Sequence, residues 1–313
     1  MNYEIRSTFK IDAPKTVTIK GRTPGHPAVP PADEQYIFRQ ATLSDLFTWY
    51  LLGERSLYLT GPTGCGKSSV IIEVAARLSI PLWNVVAHSR LETPELIGGY
   101  RLNAGGGMDF VHGPLIIAMK EGGWFLIDEI DLLDPSTAAG LNGVAEGRSI
   151  TIPETGEVVT AHPDFRFIAT ANSNGAGDAT GLYQGILRQN LAFLDRFYMI
   201  EVGYPDPEIE KKILTEVAPS VGSDIRDRMV NIANEIRALF IKGEAEVTLS
   251  TRTLTRWARI TAFQARAAAS QGMSNGETLT KAFDRALGFR AEPDTRTALH
   301  AVLQRHFGDR RTP

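Results

Sequence analysis

Gly61-Pro62-Thr63-Gly64-Cys65-Gly66-Lys67-Ser68 is the stretch from which the rest of the chain is read. The octet fits G-x-x-x-x-G-K-[ST], and so does its context. The apolar run Ser56–Thr60 (SLYLT) leads in, and a helical pattern with Val70, Ile71, Val74 and Leu78 on one face leads out. Glycines let the backbone curl so that several N–H groups point inward at phosphate oxygens. The helix that follows adds its dipole and its free N–H groups. Lys67 is the group to reach the β- and γ-phosphates, and the Ser68 hydroxyl is a Mg²⁺ ligand. Gly61, Pro62, Thr63, Gly64, Cys65, Gly66, Lys67, Ser68 and Ser69 are therefore the candidate binding stretch for ATP with Mg²⁺. Cys65 sits at a free position of the pattern. It reads as a small residue that fits, with a redox-sensitive thiol as the alternative.

Outward from this loop, strands and helices alternate. Residues 83–87 (WNVVA), Trp124–Asp128 (WFLID), 165–170 (FRFIAT) and 197–202 (FYMIEV) read as further strands with helical stretches between several of them. That order predicts an α/β fold, a parallel sheet covered by helices on both faces. Residues 96–110 (LIGGYRLNAGGGMDF) interrupt the alternation, as do residues 149–159 (SITIPETGEVV), which read as two short strands around a Pro/Gly turn. Either is also compatible with loop decoration at the surface. After Tyr204-Pro205-Asp206-Pro207 the strands stop. Residues 208–218, 224–241, 251–270, 278–287 and 294–307 read as helices. The expected organisation is an arm over residues 1–40, an α/β nucleotide-binding domain over 41–204 and a small all-helical lid over 205–313. The arm contains a possible strand at residues 16–20 (TVTIK) and a Pro/Gly-rich stretch at 21–31. It reads equally as a flexible tail or as an arm packed on a neighbouring subunit.

The strand Trp124–Asp128 is apolar and closes on Asp128-Glu129. Phosphoanhydride hydrolysis needs both acids. Asp128 is placed to bind Mg²⁺, through water in the usual case, and Glu129 to polarise the attacking water. Asp131 and Asp134 follow closely and read as caps or starts of the next helix.

Composition narrows the remaining classes. The chain has 313 residues, 43% hydrophobic and 22% charged, ordinary for a globular protein with a full core. A net charge of −3 speaks against a basic nucleic-acid surface and against an acidic tail. The single cysteine excludes an intrachain disulfide framework and a cysteine-cluster metal site. No run approaches the ~18 apolar residues of a membrane span, and the first twenty or so residues lack the apolar core of a signal peptide. A cytoplasmic protein with no membrane partner is the expectation. The histidines, His26, His88, His112, His162, His300 and His306, are scattered without ligand spacing and read as structural.

Taken together, P-loop, strand-D-E, strand-A-T-A-N, L-D-R-F and a helical domain with S-T-R resemble an AAA+ ATPase. The inserted segment near residues 95–110 and the hairpin near 149–159 resemble the helix-2 and pre-sensor insertions of the MoxR and magnesium-chelatase branch. Residues 162–172 (HPDFRFIATAN), followed by Gly177-Asp178-Ala179-Thr180-Gly181-Leu182-Tyr183, are similar to the CobS-type ATPase subunits of aerobic cobaltochelatase. The similarity runs from about Tyr36 to the C-terminal helices and includes Ser250-Thr251-Arg252-Thr253-Leu254.

The resemblance implies further roles. Asn172 would orient the attacking water as sensor 1, with a loop-capping asparagine as the alternative. Arg196 would be an arginine finger supplied to the next subunit. Its alternative is an ion pair to Asp195 or another neighbour, and Arg188 is a weaker candidate for the same task. Arg252, at a helix start, would report the γ-phosphate as sensor 2, or else be a solvated helix arginine. An arginine finger from a neighbour implies a homo-oligomer, a hexameric ring in this family. The resemblance also implies a partner with a von Willebrand factor A domain and mechanical delivery of ATP energy through the inserted segments. Three functions follow: a motor that remodels such a partner, the motor of a cobaltochelatase, and a nucleic-acid translocase. The set Glu129, Asn172 and Arg196 argues against a switch that binds ATP without hydrolysing it.

Overall fold

In the computed structural model, which describes residues 1–175, 177, 185–268 and 275–308, the chain divides into two compact units. The first comprises Met1–Asp33, Phe38–Pro62 and Lys67–Val202, and the second Glu34–Ile37, Thr63–Gly66 and Gly203–Pro313. The segment 177–183 quoted above lies outside the described residues except for Gly177.

The elements of the first unit run β1 (Asn2–Glu4), α1 (Ile5–Phe9), β2 (Thr18–Lys20), α2 (Gln40–Leu52), β3 (Ser56–Thr60), α3 (Lys67–Arg77), β4 (Leu82–Val86), α4 (Thr93–Ile97), β5 (Gly98–Leu102), β6 (Met108–His112), α5 (Pro114–Glu121) and β7 (Trp124–Asp128). A 3₁₀ turn (Ile130–Leu132) precedes α6 (Pro135–Gly140), α7 (Asn142–Ala145), β8 (Ile150–Thr151), β9 (Val158–Val159), β10 (Arg166–Ala171), α8 (Leu191–Leu194) and β11 (Tyr198–Glu201).

The central sheet is parallel, with strand order β11-β3-β10-β7-β4. Its inner strands read as unbroken apolar runs because both faces are covered; every residue of β10 is buried. Register puts Ile168 beside Leu57 on one side and Leu126 on the other. On one face Phe125 and Phe167 stack at 5.9 Å, and Phe193 meets Phe197 edge-on at 5.0 Å. The carboxyl ends of β3, β7 and β10 carry the phosphate loop, Asp128-Glu129 and Asn172, which is where ligands sit in open α/β sheets. Among the described residues no helix is long and apolar enough to cross a membrane.

The interruptions in the α/β pattern are both antiparallel hairpins. β5 pairs with β6, from Gly98 opposite His112 to Leu102 opposite Met108, and β8 pairs with β9.

Residues 1–33 are not a loose tail; they fold on this chain's own first unit. β1 pairs antiparallel with β2, and buried Phe9 meets Phe38 and Phe47 edge-on at 5.1 and 5.0 Å. The Tyr3 hydroxyl donates to Ser79 Oγ at 2.9 Å, and Arg22 donates to the Gly122 carbonyl at 2.8 Å. The Pro/Gly stretch runs without regular structure beside β4, where Leu82 N–H donates to the Ala28 carbonyl at 2.9 Å.

The second unit is helical beyond Gly203: α9 (Pro207–Val217), α10 (Ser223–Ile241), α11 (Thr251–Ala268), α12 (Asn275–Ala286), a 3₁₀ turn (Gly288–Arg290) and α13 (Pro293–Phe307). Trp257 and Phe283 meet edge-on at 5.1 Å in its core, among Leu214, Met229, Ile236 and Leu254. The Trp257 indole N–H, which burial would otherwise strand, donates to the Leu279 carbonyl at 3.1 Å.

Candidate functional site

The phosphate loop turns on glycines at positive φ: Gly61 at 151°, Gly64 at 68° and Gly66 at 99°. Side-chain-bearing residues avoid these angles, so the glycines are what let the amides turn inward. Lys67 opens α3 and is buried. Its ammonium donates to the carbonyls of Gly61 at 2.7 Å and Pro62 at 3.1 Å, and to Asn172 Oδ1 at 3.0 Å. The ammonium and the amide proposed from sequence thus meet at one point. Ser69, one residue past the octet's end, is exposed. Cys65 is 3% exposed, which fits the packing reading and denies a redox thiol the access it needs.

Ser68 Oγ donates to Asp128 Oδ1 at 2.6 Å, and Thr170 Oγ1, from the neighbouring strand β10, donates to the same oxygen. Two hard oxygen donors side by side suit Mg²⁺, which takes one or two protein ligands and completes its shell with water and phosphate oxygens. Ser68 and Asp128 are the residues that would hold it. Among the described residues no cluster of three or more His, Cys, Asp or Glu offers an all-protein cage.

Glu129 stands at φ 58°, left-handed backbone that a glutamate seldom adopts. Its N–H donates to Thr170 Oγ1 at 3.2 Å. Strain of this kind gathers at functional positions, where surrounding structure holds it in place. Thr170 therefore sets both acids: its hydroxyl engages Asp128 and accepts from Glu129.

Asp131 was read from sequence as a helix-capping acid. It has no solvent exposure and instead holds the strand end that carries Asn172. Its Oδ2 accepts the N–H groups of Asn172 at 2.8 Å and Ser173 at 3.1 Å. Burial pushes its carboxyl pKa up, against the lowering pull of those two N–H groups and of the Lys67 charge. The sequence offered one signal for this role, an acid embedded between Ile130 and Leu132 in an apolar run. Asp134 is the cap expected, its side chain accepting the Ser136 N–H at 2.8 Å.

Arg196 does not join this group. Its Nε donates to Glu146 Oε1 at 2.7 Å, and the guanidinium also donates to the Ala192 carbonyl. The pairing alternative for this residue is what the chain by itself displays, with Glu146 rather than Asp195 as partner. Arg188 is exposed. Arg252 is exposed in the first turn of α11, in the helical unit. The histidines all have structural partners: His26 with Glu121, His88 with the Arg90 N–H, His112 with Glu157, His162 with the Asp164 N–H, His300 with Asp284 and His306 with Glu235.

Residues 56–196 match the AAA domain family, dynein-related subfamily, and residues 210–306 match the CbbQ/NirQ/NorQ C-terminal family. The chain is 31% identical to the aerobic cobaltochelatase subunit CobS of Sinorhizobium sp over 264 residues, covering 81% of this chain and 78% of that protein. It is 34% identical to an uncharacterized protein of Staphylococcus aureus (strain USA300) over 206 residues, 64% of this chain and 75% of the relative. Among solved structures, a mutant RuvB of Thermogota maritima shares the fold at TM-score 0.52 and 13% identity, covering 82% of this chain and 72% of that one.

Proposed function

The chain belongs to the AAA+ ATPases of the MoxR and cobaltochelatase type, and on that footing we propose that it is a ring-forming motor that uses ATP hydrolysis to remodel a partner protein. One observation carries the remodelling part. The two inserted hairpins are tied to each other and expose apolar side chains. Tyr100 OH donates to the Glu154 carbonyl at 3.1 Å, while Glu157 takes His112 at 2.8 Å and Lys120 at 2.9 Å. Beyond these ties Leu102 (79%), Met108 (64%) and Val158 (63%) stand exposed. Leu102 and Met108 face each other across the first hairpin beside its turn, and such an adjacent exposed apolar pair is what a docking partner would cover. The partner this family context suggests carries a von Willebrand factor A domain.

In this reading the nucleotide lies on residues 61–69. Lys67 holds the β- and γ-phosphates, Glu129 polarises the attacking water, and Asn172 fixes that water's position. Ser68 and Asp128 would hold Mg²⁺, which would supply charge neutralisation at the phosphates. Arg252 senses the γ-phosphate within the subunit. Arg196 exchanges its Glu146 partner for the γ-phosphate of the neighbouring subunit, which makes a homo-oligomeric ring, a hexamer by family precedent, the active species.

A Glu129→Gln variant tests the reading. It should bind ATP, fail to turn it over, and retain its client in a pull-down. Capture of nucleic acid with no protein would sink the remodelling proposal. The likeness to CobS favours a second reading, the motor of a cobaltochelatase. It predicts that the trapped client is a large porphyrin-binding chelatase subunit.

A further inference from the structure

Within the helical unit, the crest of the phosphate loop and the helix that carries Arg252 are joined by contacts that no motif records. At Gly64 an added Cβ would lie 2.6 Å from Ser250 Oγ and 3.5 Å from Arg252 Cβ, so the Ser250 side chain packs against the loop where a side chain is missing. Ser250 caps α11: its Oγ accepts the Thr253 N–H at 3.2 Å. One residue back along the loop, the Thr63 carbonyl accepts the Tyr204 hydroxyl at 3.1 Å. The Tyr204 ring lies beneath the Arg237 guanidinium, 4.1 Å from its centroid. Arg237 in turn grips Glu210 through two hydrogen bonds of 2.8 and 2.7 Å, and donates to the Leu249 carbonyl at 2.8 Å. Glu210 Oε1 also accepts the Thr251 hydroxyl at 2.7 Å, directly beside Arg252.

We propose that Tyr204, Arg237, Glu210 and Thr251 are positioning residues that fix the first turn of α11, and with it Arg252, to the crest of the phosphate loop. Glu210 is 0% and Arg237 5% exposed. A buried ion pair gains little over apolar packing in stability, so its retention points to geometry. Here the geometry is set at three places: the planar guanidinium covers the tyrosine ring, matches the carboxylate bidentately and pins the Leu249 carbonyl. A shift of the loop crest on binding phosphate is passed through the tyrosine hydroxyl to Leu249 and Thr251, the residues that lead into Arg252. The inference deepens the ATPase reading and rests on Arg252 acting as the γ-phosphate sensor.

Steady-state ATPase of the full chain tests it with Tyr204→Phe, Thr251→Val, Arg252→Ala and the double variant Tyr204→Phe/Arg252→Ala. Tyr204→Phe keeps the ring under Arg237, and its thermal midpoint should match that of the unaltered protein. Loss of one such hydrogen bond should lower kcat about fivefold with KM changed less than about twofold. Thr251→Val should behave alike. Arg252→Ala should lower kcat further, and adding Tyr204→Phe to it should change nothing, because the relay then has nothing to position. An unchanged kcat in Tyr204→Phe, a change in KM alone, or an undiminished fivefold loss in the Arg252→Ala background would each overturn the proposal while leaving the sensor reading intact. Full kcat in Arg252→Ala would overturn both.

Discussion

Asp131 is fully buried; Oδ2 accepts two N–H groups, and Oδ1 has no hydrogen-bond partner among the described residues. For an acid whose pKa is raised by folding, stability is fully present below the unfolded value of 3.8 and falls as pH rises through the folded one. An Asp131→Asn variant keeps an acceptor for Asn172 and Ser173 but carries no charge. It should match the parent in unfolding free energy at the acid limit and become the more stable protein as pH rises. Denaturant melts across that range read the difference, and a gain that shrinks with pH would contradict the assigned direction. Gly64 tests the loop at the same scale. Its φ of 68° and the 2.6 Å approach to Ser250 leave no place for a methyl group. Gly64→Ala should raise the KM for ATP about tenfold or more, given ~1–2 kcal/mol for the left-handed backbone before any clash. Titration of a fluorescent ATP analogue gives a check independent of turnover. At this scale the motif residues were legible because their spacing is fixed by phosphate chemistry. Asp131 and Thr170 were not, since their roles depend on a neighbouring strand that sequence does not place.

The central strands were legible for a related reason. The inner strands β3, β7 and β10, buried on both faces, read as apolar runs, and the five strands of the sheet fell among helical patterns in the order a parallel sheet requires. At the N-terminus β2 falls within the strand read at residues 16–20, whereas β1 and α1 were hidden, because the buried Ile5 and Phe9 are too few to form a period. The insert at residues 96–110 showed glycines and apolar residues but not its partner. Its ties to the second hairpin, Tyr100 to Glu154 and His112 to Glu157, cross from one insert to the other. Leu102 and Met108 stand opposite each other in register and are exposed. Replacing both with Asp should leave the thermal midpoint and basal ATPase near the parent values, since exposed substitutions cost within about 0.5 kcal/mol. Client capture by the Glu129→Gln trap should be lost in the same variant. Retained capture would move the docking surface elsewhere.

For the molecule as a whole, the decisive residue is Arg196. Within one chain it is paired with Glu146, fifty residues away in sequence, a contact that no local pattern announces. Lys67, Asn172, Ser68 and Asp128 already converge without it. The proposed two-subunit site accounts for both facts: in it one chain would hold the nucleotide and lend its finger to the next. On that proposal Lys67→Ala and Arg196→Ala should each disable every site in a pure ring, but different halves of it. Mixed in equal amounts and allowed to exchange, random assembly leaves about a quarter of the sites with an intact Lys67 and an intact Arg196 from next door. The account predicts that the two inactive proteins together recover roughly that fraction of the parent ATPase rate. No recovery from demonstrably mixed rings, or full activity from a demonstrably monomeric chain, would contradict it.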